Sequence, residues 1–327
     1  MAGVTGAGNT GAGQAPILTV TLNPALDLST SAAQVVPDIK LRCEAPAVDP
    51  GGGGINVSRA ISRIGGRSTA LVALGGGTGT RLGQLLNETG LPVLRINAPG
   101  DTRQSLTVTD RATEKQFRFV LPGPEWQPAE VSDALDAVAS AVVPGSIVVL
   151  SGSNPPGVPD DVVLRLCRRL RAVPVRLFMD SSGAALALAA RAGAKLAVLR
   201  MDDAEAEELA GRKLPERLDT ADFASALVAA GAAHTVIIAR GADGNIAAGP
   251  DGRCHVEAHR VPIVSKVGAG DSFVAGYALA IARGRPMAEA LGLGAACASA
   301  TCMMPGTGLC RPDDVMRLYQ ERVVTPI

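Results

Sequence analysis

The chain has 327 residues, 31 Lys+Arg against 31 Asp+Glu, 47% hydrophobic and 2% aromatic residues. That hydrophobic share is enough for a sizeable core, and 19% charged residues are too few for a disordered chain. A formal net charge of zero argues against a general nucleic-acid binder, which needs a basic surplus to displace counterions, and the scarcity of aromatics argues against base-stacking platforms.

Met1–Pro16 is uncharged and rich in Gly, Ala and Thr, with no apolar segment of the kind a secretory signal needs; residues 1–16 read as a disordered tail. Ile17–Leu22 is the first strand. A polar stretch with alternating apolar residues runs to Ala47. The glycines Gly51–Gly54 then lead into helical spacing over Ile55–Ile64. Ser68–Leu74 predicts a strand and Gly79–Gly90 a helix. Ser105–Thr109 and Gln116–Leu121 alternate around a short polar turn as a hairpin does.

From there helix and strand alternate. Helices are expected over Val131–Val142, Asp160–Ala172, Ala184–Ala192, Asp202–Ala210 and Ala221–Ala230. Strands are expected over Ser146–Leu150, Pro174–Met179, Leu196–Leu199 and His234–Ala239. This rhythm predicts right-handed βαβ units and a parallel sheet covered on both faces. Helices near Ala269–Arg283, Met287–Met303 and Pro312–Arg322 close the chain. The expected class is α/β, one core over residues 17–327. A small β-rich lid is built from segments near 26–48 and 101–122.

The six cysteines form no C-x-x-C pair and there are only three histidines, so a structural zinc site is not expected. The cysteines read as small buried hydrophobes in a reducing compartment, which points to the cytoplasm. The uncharged stretch Ala290–Cys310 is long enough to raise a membrane question. Its Gly, Ala, Ser and Cys content, with Pro305 and Gly306, favours a buried helix followed by a turn.

Chemistry concentrates at Val267-Gly268-Ala269-Gly270-Asp271, just before an apolar helix. Glycines at a helix start let a ligand approach the backbone, and the free amides there favour an anion. Asp271 is placed to take a proton from a hydroxyl, which is what phosphoryl transfer to an alcohol requires. The plainer alternative is a Gly-rich turn with Asp as a helix cap. The Gly51–Gly54 run fits a loop pressed against a ligand or a strand, with Asn56 offering an amide; the alternative there is a linker. Lys40 and Arg103 suit a substrate phosphate, although a single cation is more often a solvated surface charge.

Several segments together resemble the ribokinase-like pfkB family of sugar kinases. They are Thr21-Leu22-Asn23-Pro24-Ala25-Leu26-Asp27, Lys40-Leu41-Arg42-Cys43, Gly51–Asn56, Thr102-Arg103-Gln104 and Phe117–Gly123. Further along they are Ser151-Gly152-Ser153-Asn154-Pro155-Pro156-Gly157, Asp180-Ser181-Ser182-Gly183 and Val267–Asp271. Lys-Leu-Arg-Cys and Thr-Arg-Gln are most similar to the 6-phosphofructokinase branch. The resemblance implies a three-layer αβα core with a β-sheet lid, and ATP-dependent phosphorylation of fructose 6-phosphate at its 1-hydroxyl. It implies Asp271 as base, with the amides of Gly268, Ala269 and Gly270 as anion hole. Asp27, Gly52, Gly53 and Asn56 are implied for the sugar hydroxyls, and Lys40, Arg103 and Ser153 for its phosphate. Pairing through the lid into a homodimer is implied as well. The same motifs fit a kinase of fructose 1-phosphate or tagatose 6-phosphate.

On the nucleotide side the chain departs from the family's Lys-Pro-Asn-x-x-Glu and carries Arg200-Met201-Asp202-Asp203-Ala204-Glu205. The resemblance places Arg200 at the ATP phosphates, Glu205 at a water on Mg²⁺, and Asp202 on the nucleotide side near the expected metal, where its added negative charge either strengthens Mg²⁺ binding or repels the triphosphate. An acidic surface helix start is the alternative for this run. Ala239-Arg240-Gly241 replaces a Ser/Thr-x-Gly contact, leaving Gly241 and Gly244 for the nucleotide, and Ser299 matches a position beside adenine. Some relatives hold a monovalent cation, K⁺, near the carbonyls around Ser265 and Gly306. The departures motivate a second class, a sugar-phosphate-binding homologue with weak catalysis.

Overall fold

The computed structural model describes residues 13–327. The chain opens with β1 (Ile17–Thr21), β2 (Ala25–Ala32) and β3 (Ala47–Gly51), then α1 (Gly53–Arg63), β4 (Thr69–Leu74), α2 (Gly76–Glu88) and β5 (Val93–Asn97). The hairpin of β6 (Arg103–Asp110) and β7 (Gln116–Val120) leads into α3 (Pro128–Ala141) and β8 (Ile147–Ser151). Next come α4 (Val162–Leu170), β9 (Arg176–Asp180), α5 (Gly183–Arg191), β10 (Leu196–Asp202), α6 (Asp203–Ala210), α7 (Arg217–Ala229) and β11 (Ala233–Ala239). The last elements are β12 (Asn245–Gly249), β13 (Gly252–Val256), α8 (Ala269–Ala282), α9 (Met287–Cys302), α10 (Pro312–Gln320) and β14 (Val324–Pro326).

Ten strands form one sheet in the order β14-β13-β12-β11-β10-β9-β8-β1-β4-β5, parallel from β11 to β5. Alternation along the strands feeds two cores. Val148, Val236 and Ile238 point to the layer with α3, α4, α5 and α7, whereas Ile147, Val149 and Ile237 point to the layer with α1, α8, α9 and α10. α4 shows how a helix finds its side: Val162, Val163, Leu166 and Leu170 make a buried stripe, and Arg165, Arg168 and Arg169 stay outside it. α8 is buried nearly all round because α9 and the sheet enclose it. Leu199, fully buried in β10, is a sensitive point of this core. Leu199→Ala is expected to cost about 2–5 kcal/mol, read as a lower urea midpoint at unchanged slope.

The lid is a separate four-stranded sheet, β3-β2-β6-β7, with β2 and β6 parallel and both outer pairs antiparallel. The expected hairpin is there, paired from Ser105↔Val120 to Thr109↔Gln116.

Three features differ from the sequence reading. β12 and β13 form a hairpin around Gly249-Pro250-Asp251-Gly252, and β14 extends it. Of the expected tail, residues 1–12 lie outside the described residues. Residues 14–16, however, are tied down: the Gln14 amide donates to the Arg67 carbonyl at 2.6 Å and the Ala15 N–H to the Ala282 carbonyl at 2.8 Å. The cysteines are all free, but only Cys254, Cys297 and Cys310 are buried; Cys167 and Cys302 are part-buried and Cys43 is exposed. The Ala290–Cys310 stretch is α9 from its fourth residue onward, followed by a turn. Among the described residues no helix is long and apolar enough to cross a membrane.

Candidate active site

Parallel sheets gather ligands outside the carboxyl ends of their strands. Here β8 ends at Ser151, β9 at Asp180 and β10 at Arg200–Asp202, and the first turn of α8 brings Asp271 to the same place. Asn56, on α1, donates to Asp271 Oδ2 at 2.9 Å, and the Ser151 hydroxyl lies 3.3 Å from Asp271 Oδ1 and 3.4 Å from Asp180 Oδ2. Ser151 was not assigned a role from sequence; its place at a strand end inside a quoted motif was the available signal.

The glycine run makes this closeness possible. A Cβ on Gly53 would stand 2.4 Å from Ser151 Oγ and 2.7 Å from the Gly152 amide, so any side chain there would push Ser151 off Asp271. Gly51 leaves the same kind of room for the Asp27 carboxylate. The run is thus pressed against strand ends and a carboxylate. Gly52 and Gly53 lead straight into α1 and so aim Asn56.

Gly268 takes φ 75°, the left-handed region, and caps α8. The first intrahelical bond runs from Ser272 N–H to the Gly268 carbonyl at 2.9 Å. Ala269 N–H already donates to the Lys266 carbonyl at 3.3 Å, which corrects the expectation that it is a free anion donor. Among the described residues, the amides of Gly268, Gly270 and Asp271 have no acceptor.

Arg200 replaces a compact ammonium with a planar fork, and the fold uses its shape. Nη1 holds Asp180 Oδ1 at 2.7 Å, and the guanidinium lies 5.4 Å from the centroid of the Phe273 ring. A Cβ on Gly270 would be 3.5 Å from that guanidinium, so the cation stands directly beside the free amides of α8. Its buried Nε has no partner among the described residues. A phosphate at the helix start is the acceptor that both would satisfy.

Burial is the main cause that raises the Asp271 carboxyl to about 6; the Asp180 charge adds to it, while the bonds from Asn56 and Ser151 and the Arg200 charge oppose it. Asp180, Asp271 and Glu205 all act electrostatically on the single cation Arg200. That carboxylate surplus suits a divalent ion arriving with the nucleotide. Among the described residues no cluster of three ligating side chains exists. Asp202 and Glu205 form a reciprocal capping box on α6, each accepting the other's N–H at 2.9 and 2.8 Å. The acidic helix start is therefore the local structure of this run.

Gly241 and Gly244 flank a short 3₁₀ turn between β11 and β12, and Ser299 is buried in α9. Ser265 Oγ donates to the Gly306 carbonyl at 2.9 Å, so the two segments expected around a monovalent cation do meet.

On the lid side, Asp27 is also raised to about 6, chiefly by burial, with Arg103, Ser105 and Arg118 opposing and Asp49 adding. Arg103 and Ser153 share an open cleft of about 540 Å³ with Asn23. There Arg103 Nε donates to the Asn23 carbonyl at 3.2 Å, and Asn23 Nδ2 to Ser153 Oγ at 3.2 Å. Lys40 is exposed on the loop between β2 and β3 and makes no hydrogen bond or ion pair with the described residues. It is not among the residues that line the Arg103 cleft, although its loop is tied down on either side, by Val35 N–H to Asp110 Oδ2 at 3.0 Å and by Glu44 N–H to the Ser31 carbonyl at 3.0 Å.

Residues 21–314 match the model of the pfkB family carbohydrate kinases. An ATP-dependent 6-phosphofructokinase isozyme 2 of Mycobacterium tuberculosis is 38% identical over 308 residues, 94% of this chain and 90% of that protein. A 1-phosphofructokinase of Bacillus subtilis is 31% identical over 309 residues, 94% of this chain and 99% of that protein. Phosphofructokinase-2 from Escherichia coli, solved in complex with potassium, superposes with a TM-score of 0.89 at 36% identity, covering 94% of this chain and 99% of that one. The same enzyme has been solved with fructose-6-phosphate and in a tetrameric inhibited form, each at TM-score 0.88 and 35% identity over 94% of this chain and 99% of that one.

Proposed function

The chain belongs to the pfkB family of carbohydrate kinases, and we propose that it transfers the terminal phosphoryl group of ATP to the 1-hydroxyl of fructose 6-phosphate. The observation that carries the reading is Asp271. It is a half-buried carboxylate, oriented by Asn56 and Ser151, at a helix start with unspent amides and Arg200 beside it. Asp271 accepts the hydroxyl proton as the sugar oxygen bonds to phosphorus; the bond from phosphorus to the bridging oxygen breaks and ADP leaves. The Gly268 and Gly270 amides and Arg200 hold the charge on the moving group. Asp27 accepts from sugar hydroxyls, and Arg103 with Ser153 faces the existing phosphate. Glu205 and Asp180 would hold Mg²⁺ through water; when bound, the ion neutralises phosphate charge. The Ser265–Gly306 contact supports a monovalent cation between these two segments.

ADP release with MgATP across fructose 6-phosphate, fructose 1-phosphate and tagatose 6-phosphate tests the substrate. Fructose 6-phosphate is expected to give the highest kcat/KM; good transfer only to another of the three would replace it.

The acid limb of kcat/KM carries a second check. Asp271 must be ionised to take the hydroxyl proton and Asp27 to offer both oxygens to sugar hydroxyls, and burial raises both carboxyls to about 6. As pH falls below about 6 each contributes one unit of slope in log rate against pH. Asp27→Asn is expected to remove one unit from that slope, whatever the substrate phosphate itself contributes.

Pairing through the lid is supported by its outer edge. β7 is exposed along its whole length, with Phe119 51% and Val120 61% accessible, next to Leu121 and Leu106. An unpaired apolar edge strand invites a second copy. The chain is expected to elute as a dimer, and Phe119→Arg with Val120→Lys as a monomer by light scattering. We place the enzyme in the cytoplasm, in keeping with its free cysteines.

A further inference from the structure

At the opposite end of the sheet from Asp271, a cavity of about 940 Å³ opens beneath the N-terminal ends of β9, β10 and β11. Its size is within the range of about 300–1,000 Å³ usual for small-molecule sites. Its inner wall is apolar: Phe178, Val198, Tyr277, Ile281 and Met287 line it from the sheet and from α8 and α9. The wall is held in shape. Tyr277 packs on Phe178 with ring centroids 6.0 Å apart and stacks on Phe273 at 6.3 Å. These are three of the chain's eight aromatic residues (five Phe, two Tyr and one Trp), so a protein poor in aromatics has concentrated them behind this cavity.

The rim has the opposite character. Arg171, Arg176, Lys195 and Arg285 line the opening, with Asp251 as the one acid among the lining residues. Arg171 and Lys195 are exposed and make no ion pair with the described residues. Lys195 holds φ 52°, a conformation that costs a side-chain-bearing residue free energy and suits Gly or Asn better. Nothing in the phosphoryl-transfer site uses any of these residues.

We propose that this cavity binds a small amphipathic carboxylate, with its hydrocarbon body against Tyr277, Ile281 and Met287 and its anionic head among Lys195, Arg171 and Arg176. An apolar wall alone would accept a neutral molecule; the surplus of rim cations over acids selects an anion. A single carboxylate on a flexible chain matches cations that are spread along a rim.

The test uses the full-length enzyme with dodecanoate as the probe, dodecanol as its neutral counterpart, and anilinonaphthalene sulfonate as the fluorescent reporter. The reporter is expected to bind saturably and to be displaced by dodecanoate, but not by MgATP or fructose 6-phosphate. In the double variant Arg171→Glu and Lys195→Glu, dodecanoate is expected to bind about tenfold more weakly while dodecanol is unchanged. Ala197→Trp, which fills the cavity, is expected to abolish both; the rim variant keeps the test decisive if the tryptophan disturbs folding. Displacement by MgATP would put the probe in the nucleotide site. Dodecanoate binding unaltered by the rim variant would put it elsewhere, the apolar lid edge included. Either result overturns the proposal, as does the absence of saturable binding.

Discussion

Asp271→Asn is expected to lower kcat by about 10²–10⁴-fold and to leave both KM values within a factor of about three. The substitution keeps the size of the side chain and removes its charge, one acceptor oxygen and its capacity to take a proton. The groups that position it, Asn56 at 2.9 Å and Ser151 at 3.3 Å, remain. Loss of folding is not a rival explanation. The carboxyl is raised from 3.8 to about 6, so the folded chain holds a proton there that the unfolded chain has released. Stability from this group is therefore complete below 3.8 and is lost as pH rises through about 6. At pH 7.5 the asparagine replaces a charge that the fold holds at a cost, and the unfolding midpoint is not expected to fall. ADP release under MgATP and fructose 6-phosphate reads the first effect; a thermal melt reads the second. Equal turnover by parent and variant would remove the base and favour a sugar-phosphate-binding protein.

How much of this was legible in the sequence depends on the distance over which a signal acts. The helix–strand rhythm from Val131 onward is local, and it yielded the parallel sheet. The Pro250-Asp251-Gly252 turn is equally local, yet the hairpin it closes is found only in the structure, because Asn245–Gly249 is small and nearly uniform in polarity. The glycines of 51–54 announce a close approach without saying to what. Ser151 is identified only once strands far apart in sequence pair, and Asp27, implied by the resemblance, is seen against Gly51 only then. Asp271 is legible because it and its amide cluster lie within one turn of one helix. Arg200 is the reverse case. As a departure from a family pattern it looked doubtful, but its value comes from Asp180 on one side and Phe273 on the other, which no local pattern connects. Lys40 shows the limit: its loop is anchored at Val35 and Glu44, but a matching segment does not say which way an exposed side chain between those anchors faces.

Arg103→Ala is expected to raise the KM for fructose 6-phosphate about 10–100-fold, the equivalent of losing a charged hydrogen bond of roughly 1.5–3 kcal/mol, with the ATP KM almost unchanged. The side chain is anchored at one edge, Nε to the Asn23 carbonyl at 3.2 Å, while its long 3.5 Å approach from Nη1 to the Leu121 carbonyl is easily given up to a phosphate. Arg103→Lys should recover part of the affinity, since an ammonium keeps the charge and loses the fork. Lys40→Ala, on its exposed loop, is expected to have a smaller effect. A purely structural role for Arg103 in bracing the lid would also raise the KM, so a second readout is needed. Arg103 is the foremost charge holding the Asp27 carboxyl down against burial. Its removal therefore moves the part of the acid limb that belongs to Asp27 to higher pH, whereas Arg103→Lys leaves that limb near its original place. A rise in KM with no movement of the limb would mean that Arg103 braces the lid without facing Asp27 across the sugar site; an effect confined to ATP would place it on the wrong side of the reaction altogether.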